Sequence, residues 1–171
     1  FLRYHAEDHG LDPDKISMIG FSAGGNLIGT YINTIQGNEL FPADYSKDEI
    51  DSVNDKVTSA AMIYPALSFR YNVPMLFCMF DADEVRNKEK REELLEQTDL
   101  WRHISSRGVS QFIAYGTKDG MVGMDETIRY IEEAKNAGCT IKDVVVEGAD
   151  HGFGPENYME NYLQWIASIW E

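Results

Sequence analysis

Apolar residues in this sequence form short continuous runs that alternate with segments of helical spacing. Continuous runs are typical of strands buried in a parallel sheet, and a spacing of three or four is typical of amphipathic helices. The runs that predict strands cover residues 15–21, 57–64, 110–115 and 140–147. The segments that predict helices cover residues 1–9, 27–35, 124–134 and 159–170. This alternation predicts an α/β fold with a mostly parallel sheet and helices on both faces.

Two stretches interrupt the alternation. Residues 37–56 are polar and acidic and predict a loop. Residues 66–104 resemble an insertion, with an apolar, turn-rich first part and then alternating charges over 83–95 that predict one exposed helix. We therefore expect a single domain over 1–171, in which the insertion at 66–104 forms a cap.

Length, composition and charge restrict the partners of this domain. The chain has 171 residues, of which 43% are apolar, enough for a substantial core. Its 29 acidic residues against 15 Lys and Arg give a net charge of −14, which disfavours nucleic acid and anionic membrane surfaces. No apolar run approaches the roughly 18 residues of a membrane span, so we expect a soluble, cytoplasmic protein. Cys78 and Cys139 lack the spacing of a metal site or a disulfide framework, and we expect both to be buried thiols.

A Gly-x-Ser-x-Gly pattern lies between the first predicted strand and the helix that follows. It reads Gly20-Phe-Ser-Ala-Gly24, with Ser22 at its centre. A nucleophile elbow needs a serine in a strained strand-to-helix turn, with glycines that let neighbouring backbone pass closely. The N–H of Ala23, at the start of the helix, is then placed to stabilise an oxyanion. The pattern predicts a nucleophilic serine, and this chemistry needs no metal or organic cofactor.

A serine hydroxyl needs a histidine base and a carboxylate that orients it. Asp119 follows the strand at 110–115 and His151 follows the strand at 140–147, so both should reach the edge of the sheet where Ser22 lies. Asp150 is an alternative to Asp119, and His103 is an alternative to His151. The alternative for Ser22 is that it is an ordinary turn residue with no role in catalysis.

Apolar residues flank these three positions. They are candidates to bind substrate, although apolar residues beside buried strands also serve as core. The four candidates are Phe21, Met121, Val122 and Phe153.

The motifs resemble the signature segments of α/β-hydrolase-fold esterases and lipases, most closely the acetyl-esterase and carbohydrate-esterase branch. The segments are Gly-Phe-Ser-Ala-Gly-Gly, Gly-Thr-Lys-Asp-Gly and Asp-His-Gly-Phe. The resemblance implies that Ser22 is the nucleophile, Asp119 the orienting acid and His151 the general base, acting on small carboxylic esters. Prolyl-oligopeptidase-like peptidases share this fold and order but usually have Gly-Trp-Ser-Tyr-Gly-Gly, where this chain has Phe21 and Ala23. A non-catalytic hydrolase-fold fragment is the alternative outside the enzymes.

One departure from the family concerns the region before the first strand. Members carry further strands there and a His-Gly-Gly-Gly-type loop that supplies a second oxyanion donor, and nothing here matches that loop. Losing one such donor costs about 3–4 kcal/mol of transition-state stabilisation, or about a hundred- to a thousandfold in rate. We expect that the chain is the C-terminal part of a longer hydrolase. We also expect weak activity, or a homodimer that pairs the exposed edge at 15–21.

Overall fold

The sheet consists of four parallel strands in the order β1-β2-β3-β4, in a computed structural model that describes residues 1–38 and 40–171. Residue 39, in the loop predicted over 37–56, lies outside the described residues. The strands are β1 (Ser17–Phe21), β2 (Ser59–Ile63), β3 (Ser110–Gly116) and β4 (Ile141–Val146). The helices are α1 (Ala23–Thr30), α2 (Ala82–Arg86), α3 (Lys88–Thr98), α4 (Met124–Asn136) and α5 (Met159–Trp170).

Helices cover both faces of the sheet because successive side chains of a strand point to opposite sides. Met62 and Ile113 face a cluster that α1 and α4 complete, whereas Ile63 and Phe112 face a second cluster under α5. All five residues of β2 are buried, which is why this segment is a continuous apolar run. The α/β architecture predicted from the sequence, a parallel sheet with helices on both faces, is confirmed.

Strand β1 is an edge strand of the described sheet. It pairs with β2 in register from Ser17 opposite Ser59 to Phe21 opposite Ile63. Ile19 and Phe21 are 41% and 42% exposed, although their partners in β2 are fully buried. The outer edge of β1 is therefore an open surface in the described part of the chain.

The segment at 66–104, which the sequence predicts to be a cap, supplies most of a small apolar cluster that also includes Val122. A 3-10 helix at Val73–Cys78 packs with α2 and α3 around Leu76, Val85 and Leu95. The prediction of one exposed helix over 83–95 is wrong, because Asn87 is extended and begins a new helix by accepting the N–H groups of Glu89 and Lys90.

Two further differences from the predicted elements lie outside the cap. Residues 2–10 form hydrogen-bonded turns that end at Gly10, where φ is 63°, rather than a regular helix. The helix predicted over 27–35 begins at Ala23 and changes at Tyr31–Ile35 into a π-helical turn. Across the described ranges, every helix is too short or too polar to span a membrane.

The two ends of the cap meet at a buried carboxylate. Asp99 is fully buried and accepts hydrogen bonds from Ser68 Oγ at 2.7 Å, Arg70 Nε at 2.7 Å and Arg102 Nε at 3.2 Å. The Leu100 N–H also donates to the Leu67 carbonyl at 3.0 Å. These bonds fasten the cap to the end of β2, near the predicted site.

Candidate active site

Ser22 occupies the sharp turn between β1 and α1. Its φ is 51° and its ψ is −115°, a region that residues with a side chain rarely adopt. The turn is held from both sides, because the Ser22 N–H donates to the Ile63 carbonyl at 2.9 Å and the Ser22 carbonyl accepts from the Asn26 N–H at 3.1 Å. A backbone conformation of this kind persists only where its surroundings determine it, and it is typical of functional sites.

Two glycines allow the backbone to approach closely around this turn. A Cβ on Gly20 would lie 2.5 Å from the Gly24 carbonyl oxygen, and a Cβ on Gly25 would lie 2.7 Å from the Pro65 Cβ. Both distances are shorter than any normal contact of a Cβ. A Cβ on Gly24, in contrast, would meet nothing within 4 Å. Gly20 and Gly25 are therefore the positions that the packing requires to be glycine.

Ser22, His151 and Asp119 form one chain of hydrogen bonds. His151 Nε2 lies 2.8 Å from Ser22 Oγ, and His151 Nδ1 lies 2.9 Å from Asp119 Oδ2. An ionised carboxylate only accepts, so Nδ1 carries the proton and donates to Asp119, which leaves Nε2 of the neutral ring as the acceptor. The Ser22 hydroxyl then donates to Nε2. This is the arrangement in which a histidine can take the proton of a serine.

Backbone N–H groups fix the Asp119 carboxylate. Its Oδ1 accepts from the N–H groups of Met121 at 2.9 Å and Val122 at 3.0 Å, so Oδ2 is free for the imidazole. The Asp119 side chain is 2% exposed and that of His151 is 14% exposed. The pair is thus largely shielded from water, which strengthens a charge-assisted hydrogen bond.

Asp150, the alternative acid, has a different set of partners. Its Oδ1 accepts from the N–H groups of Gly120 at 3.0 Å and His151 at 2.7 Å, so it joins the loop that carries Asp119 to the loop that carries His151. These two N–H donors, Gly120 first, lower the pKa of Asp150 from its ordinary value of 3.8. Asp150 therefore contacts the backbone at the site and not the imidazole.

His103, the alternative base, lies at the end of the cap. Its Nε2 is 3.2 Å from the carbonyl oxygen of Glu96 on α3. The structure brings His151, and not His103, to Ser22.

Ala23 contributes a backbone N–H to the site. It is the first residue of α1, and the first N–H groups of a helix have no partner within that helix. Within residues 1–38 and 40–171, the Ala23 N–H donates no hydrogen bond. The group is therefore available to an oxygen atom beside Ser22, where the positive end of the helix dipole favours negative charge.

Aromatic side chains lie on one side of the imidazole. The ring of Tyr64 is 4.9 Å from that of His151 and 4.9 Å from that of Phe153, centroid to centroid. Phe21 and Tyr158 continue the group, with centroids 6.0 Å from Tyr64 and 6.1 Å from Phe153. Phe21 and Phe153, both predicted to bind substrate, thus belong to one aromatic cluster beside the triad.

The other two predicted substrate contacts are placed differently. Met121 is 45% exposed at the loop after Asp119. The Val122 side chain is 4% exposed and packs in the apolar cluster of the cap. The Val122 N–H, in contrast, donates to Asp119. Val122 reaches the site through its N–H.

Sequence reasoning did not single out Tyr64 and Tyr158. Tyr64 directly follows a buried strand at the edge where ligand sites lie, and that position was an available signal. Tyr158 is 4% exposed and lies far along the chain from the motifs, so only the tertiary structure shows its place beside Phe153.

One cavity lies away from the triad. Its volume is about 710 Å³, and it is lined by residues that precede β1 and β2, among them Arg3, Ile16 and Lys56. Ligands of parallel sheets bind at the carboxyl ends of the strands, whereas this cavity lies at the amino ends. We therefore do not include it in the candidate active site.

Comparison with known proteins gives one family and several similar folds. A sequence model described as the prolyl oligopeptidase family matches residues 1–170. The search of curated proteins returns no match. A propionate-bound esterase from the Planctomycetes species Thermogutta terrifontis is 26% identical, with a TM-score of 0.65 over 98% of this chain and 58% of that one.

Two other solved structures, both below 25% identity, show the fold alone. An acetyl ester-xyloside bifunctional hydrolase from Caldicellulosiruptor lactoaceticus is 18% identical, with a TM-score of 0.73 over 98% of this chain and 61% of that one. A truncated form of a carbohydrate esterase from gut microbiota is 19% identical, with a TM-score of 0.72 over 98% of this chain and 64% of that one. The chain thus spans about three fifths of the length of these proteins.

Proposed function

The chain belongs to the prolyl oligopeptidase family, and we propose that it acts as a serine hydrolase on small carboxylic esters. The observation that carries the proposal is the continuous path of hydrogen bonds from Ser22 Oγ through His151 to Asp119, at 2.8 Å and 2.9 Å. A serine beside a neutral imidazole, which is in turn oriented by a buried carboxylate, is an activated nucleophile.

In the first half of the reaction, Ser22 Oγ attacks the ester carbonyl carbon and its proton passes to His151 Nε2. The carbonyl oxygen becomes an oxyanion and accepts a hydrogen bond from the Ala23 N–H. Asp119 stabilises the imidazolium through Nδ1. The intermediate then collapses, the bond to the alcohol oxygen breaks, and the alkoxide takes the proton from Nε2. The acyl group remains on Ser22.

In the second half, water replaces the alcohol. His151 Nε2 takes a proton from the water as its oxygen attacks the acyl carbon, and a second oxyanion forms beside Ala23. Collapse breaks the bond to Ser22 Oγ, which recovers the proton from Nε2. The products are an alcohol and a carboxylic acid.

Two observations support esters as the substrates. The esterase from Thermogutta terrifontis is 26% identical to this chain, and the residues around Ser22 are Phe21 and Ala23 rather than the Trp and Tyr of the peptidase motif. The match to the prolyl oligopeptidase family favours a second candidate, a peptidase. An amide is the harder substrate, since its amine leaves only after protonation.

The experiment that tests the proposal is labelling with a fluorophosphonate probe. We expect a covalent adduct on Ser22 that is absent in Ser22→Ala. Ser52→Ala is a matched control, because Ser52 is exposed and its hydroxyl donates to the carbonyl of nearby Glu49. Absence of an adduct on the folded protein, or an adduct that persists in Ser22→Ala, contradicts the proposal.

Substrate class is tested by comparing p-nitrophenyl acetate with a Gly-Pro p-nitroanilide. We expect hydrolysis of the ester at least a hundredfold faster than that of the anilide. Comparable rates, both abolished by Ser22→Ala, would favour the peptidase instead.

We further propose that residues 1–171 form one domain with a cap at 66–104, and that two chains pair along β1. The apolar cluster to which residues of 66–104 contribute most members supports the first part. Exposure of Ile19 and Phe21 at an edge strand supports the second, because an unpaired edge is a template for another strand. Light scattering during size-exclusion chromatography tests pairing: Ile19→Lys should shift a dimer to a monomer, and a monomeric unaltered protein contradicts it.

A further inference from the structure

Tyr64 has an unusual backbone conformation beside the triad. It follows the last residue of β2 and has a φ of 38°, one of two positive values among the described residues other than glycine, the other being that of Ser22. Its N–H donates to the Ala114 carbonyl at 2.7 Å, and Pro65 follows it. Positive φ is unfavourable for a bulky residue and is retained where the surroundings determine it.

This conformation places the Tyr64 ring against the imidazole of His151. The two centroids are 4.9 Å apart and the rings are inclined at 63°. On its other sides the Tyr64 ring contacts Phe153 at 4.9 Å and Phe21 at 6.0 Å. The Tyr64 ring is therefore held by its neighbours as well as by its backbone.

The hydrogen bonds of His151 leave one motion of the ring unrestrained. Nδ1 is bound by Asp119 and Nε2 by Ser22, so both contacts lie near one line across the imidazole. Rotation about that line leaves both distances nearly unchanged, but it tilts the ring plane, and with it the N–H and lone-pair directions, away from the alignment that a good hydrogen bond requires. A ring packed against the imidazole prevents this rotation.

We propose that Tyr64 is a positioning residue for His151, which keeps the imidazole aligned with Ser22 Oγ and stabilises the imidazolium that forms when Ser22 attacks. The centroid distance of 4.9 Å lies within the range of about 6 Å at which a cation over the face of an aromatic ring is attracted to it. With the tyrosine face toward the edge of the imidazole, the contact is stronger after proton transfer than before it. This inference rests on the proposed serine hydrolase function. It assigns the action to the aromatic ring, because no hydrogen bond to the Tyr64 hydroxyl occurs among the residues that the structure describes.

The test compares Tyr64→Phe, which keeps the ring, with Tyr64→Leu, which removes it. For p-nitrophenyl acetate we expect Tyr64→Phe to stay within twofold of the unaltered protein. Tyr64→Leu should lower kcat about fivefold with little change in KM, and should move the ascending limb of the pH–rate profile about 0.5 lower in pH. The ascending limb moves to lower pH because the imidazolium of His151 loses a favourable contact with the aromatic ring.

The pH readout separates Tyr64 from the other groups around the imidazole. The titratable groups there are Asp119 and Asp150 on the flanking loops and Tyr64 itself, and both variants keep the two carboxylates. An unchanged limb in a folded Tyr64→Leu protein overturns the inference. Equal effects of Tyr64→Phe and Tyr64→Leu also overturn it, because the hydroxyl would then be the active part. If Tyr64→Leu does not fold, Tyr64→Met takes its place, because its unbranched side chain has about the same volume and adapts more easily to the shape of the space.

A measurement without turnover keeps this test distinct from that of the proposed function. In the Ser22→Ala background, the ring protons of His151 can be followed by NMR across the same pH range. We expect their titration to move about 0.5 lower in pH in Tyr64→Leu and not in Tyr64→Phe. If the two variants differ in this way but the unaltered protein is not labelled by the fluorophosphonate, only the hydrolase proposal is contradicted. If the protein is labelled but the two Tyr64 variants show no difference in the NMR titration, only the Tyr64 inference is contradicted.

Discussion

Gly20→Ala tests the packing on which the serine turn depends. The added Cβ would lie 2.5 Å from the Gly24 carbonyl oxygen, 2.6 Å from the Gly24 carbonyl carbon and 2.7 Å from Ile28 Cδ1. The Ile28 methyl group can move by rotating its side chain. The Gly24 atoms are backbone of α1, so they move only if the helix moves away from β1.

The expected destabilisation follows from that difference. Inserting a methyl group into a packed core costs about 1–3 kcal/mol where neighbours can adjust. Two of the three close atoms here are backbone, so we expect the upper end, about 3 kcal/mol. That is a large fraction of the 5–15 kcal/mol that usually stabilises a domain. For a chain of this length it corresponds to a Tm lower by about 6–12 °C.

Gly24→Ala is the matched control, since it adds the same methyl group in the same motif. A Cβ at Gly24 meets nothing within 4 Å, and the residue lies in α1. Alanine favours a helix over glycine by up to about 1 kcal/mol, so this variant should be as stable as the unaltered protein or more so. Only stability is compared, because Gly24 lies close to the proposed nucleophile.

The assay is equilibrium unfolding in urea, followed by tryptophan fluorescence and far-UV circular dichroism. Under two-state behaviour the two probes should give one midpoint, and the free energies of unfolding of the two variants should differ by about 3–4 kcal/mol. A Gly20→Ala protein within 0.5 kcal/mol of Gly24→Ala, at about equal m-values, refutes the packing argument. So does the reverse order of stability.

Three further predictions concern polar groups. Asp119→Asn should lower the fluorophosphonate labelling rate about 10⁴-fold without unfolding, because an amide placed at Nδ1 donates and reverses the tautomer of His151; labelling within tenfold contradicts it. Asp150→Asn should flatten the pH dependence of unfolding below pH 4. The pKa of Asp150 is lowered in the folded state, so the ionised carboxylate stabilises the fold above the ordinary value of 3.8, and this stabilisation is lost as the pH falls through the lowered value. Equal acid unfolding curves for Asp150→Asn and the unaltered protein contradict this prediction. Tyr130→Phe should cost about 1–3 kcal/mol in urea, because Asn33 and Gln111 each lose a buried partner at 2.8 Å and 2.9 Å. Burial raises the pKa of Tyr130 from 10.0 to about 12. The protonated tyrosine therefore stabilises the folded state fully below pH 10, and this stabilisation is lost as the pH rises toward 12. Tyr130→Phe should reduce that loss of stability at high pH.

The strands and the serine turn could be predicted because their signals are local. The run over 57–64 is apolar at almost every position since β2 is buried on both faces, and such a run needs no tertiary information to be recognised. The turn at Ser22 is marked by glycines within a few residues of it. The edge of the sheet at which the site lies follows from the parallel topology.

The cap and the aromatic cluster depend on contacts between distant segments. Leu94 and Leu95 are buried among residues of the cap, but in the sequence they are two apolar residues at the end of a charged stretch. The conformation of Tyr64 could not be predicted either. A residue before proline is expected to be extended, and the positive φ arises from the surroundings of the site.

The distance along the chain between Ser22 and His151 has a consequence for synthesis. The two residues are 129 positions apart, and β1 and β4 lie at opposite edges of the sheet. Parallel pairs close long loops before they gain contacts, so folding is expected to be slow for a domain of this size. A chain emerging from the ribosome exposes its serine well before its histidine is made. Until β4 docks, the Ser22 hydroxyl has no histidine beside it to accept its proton, so the geometry of the proposed site is completed only late in synthesis.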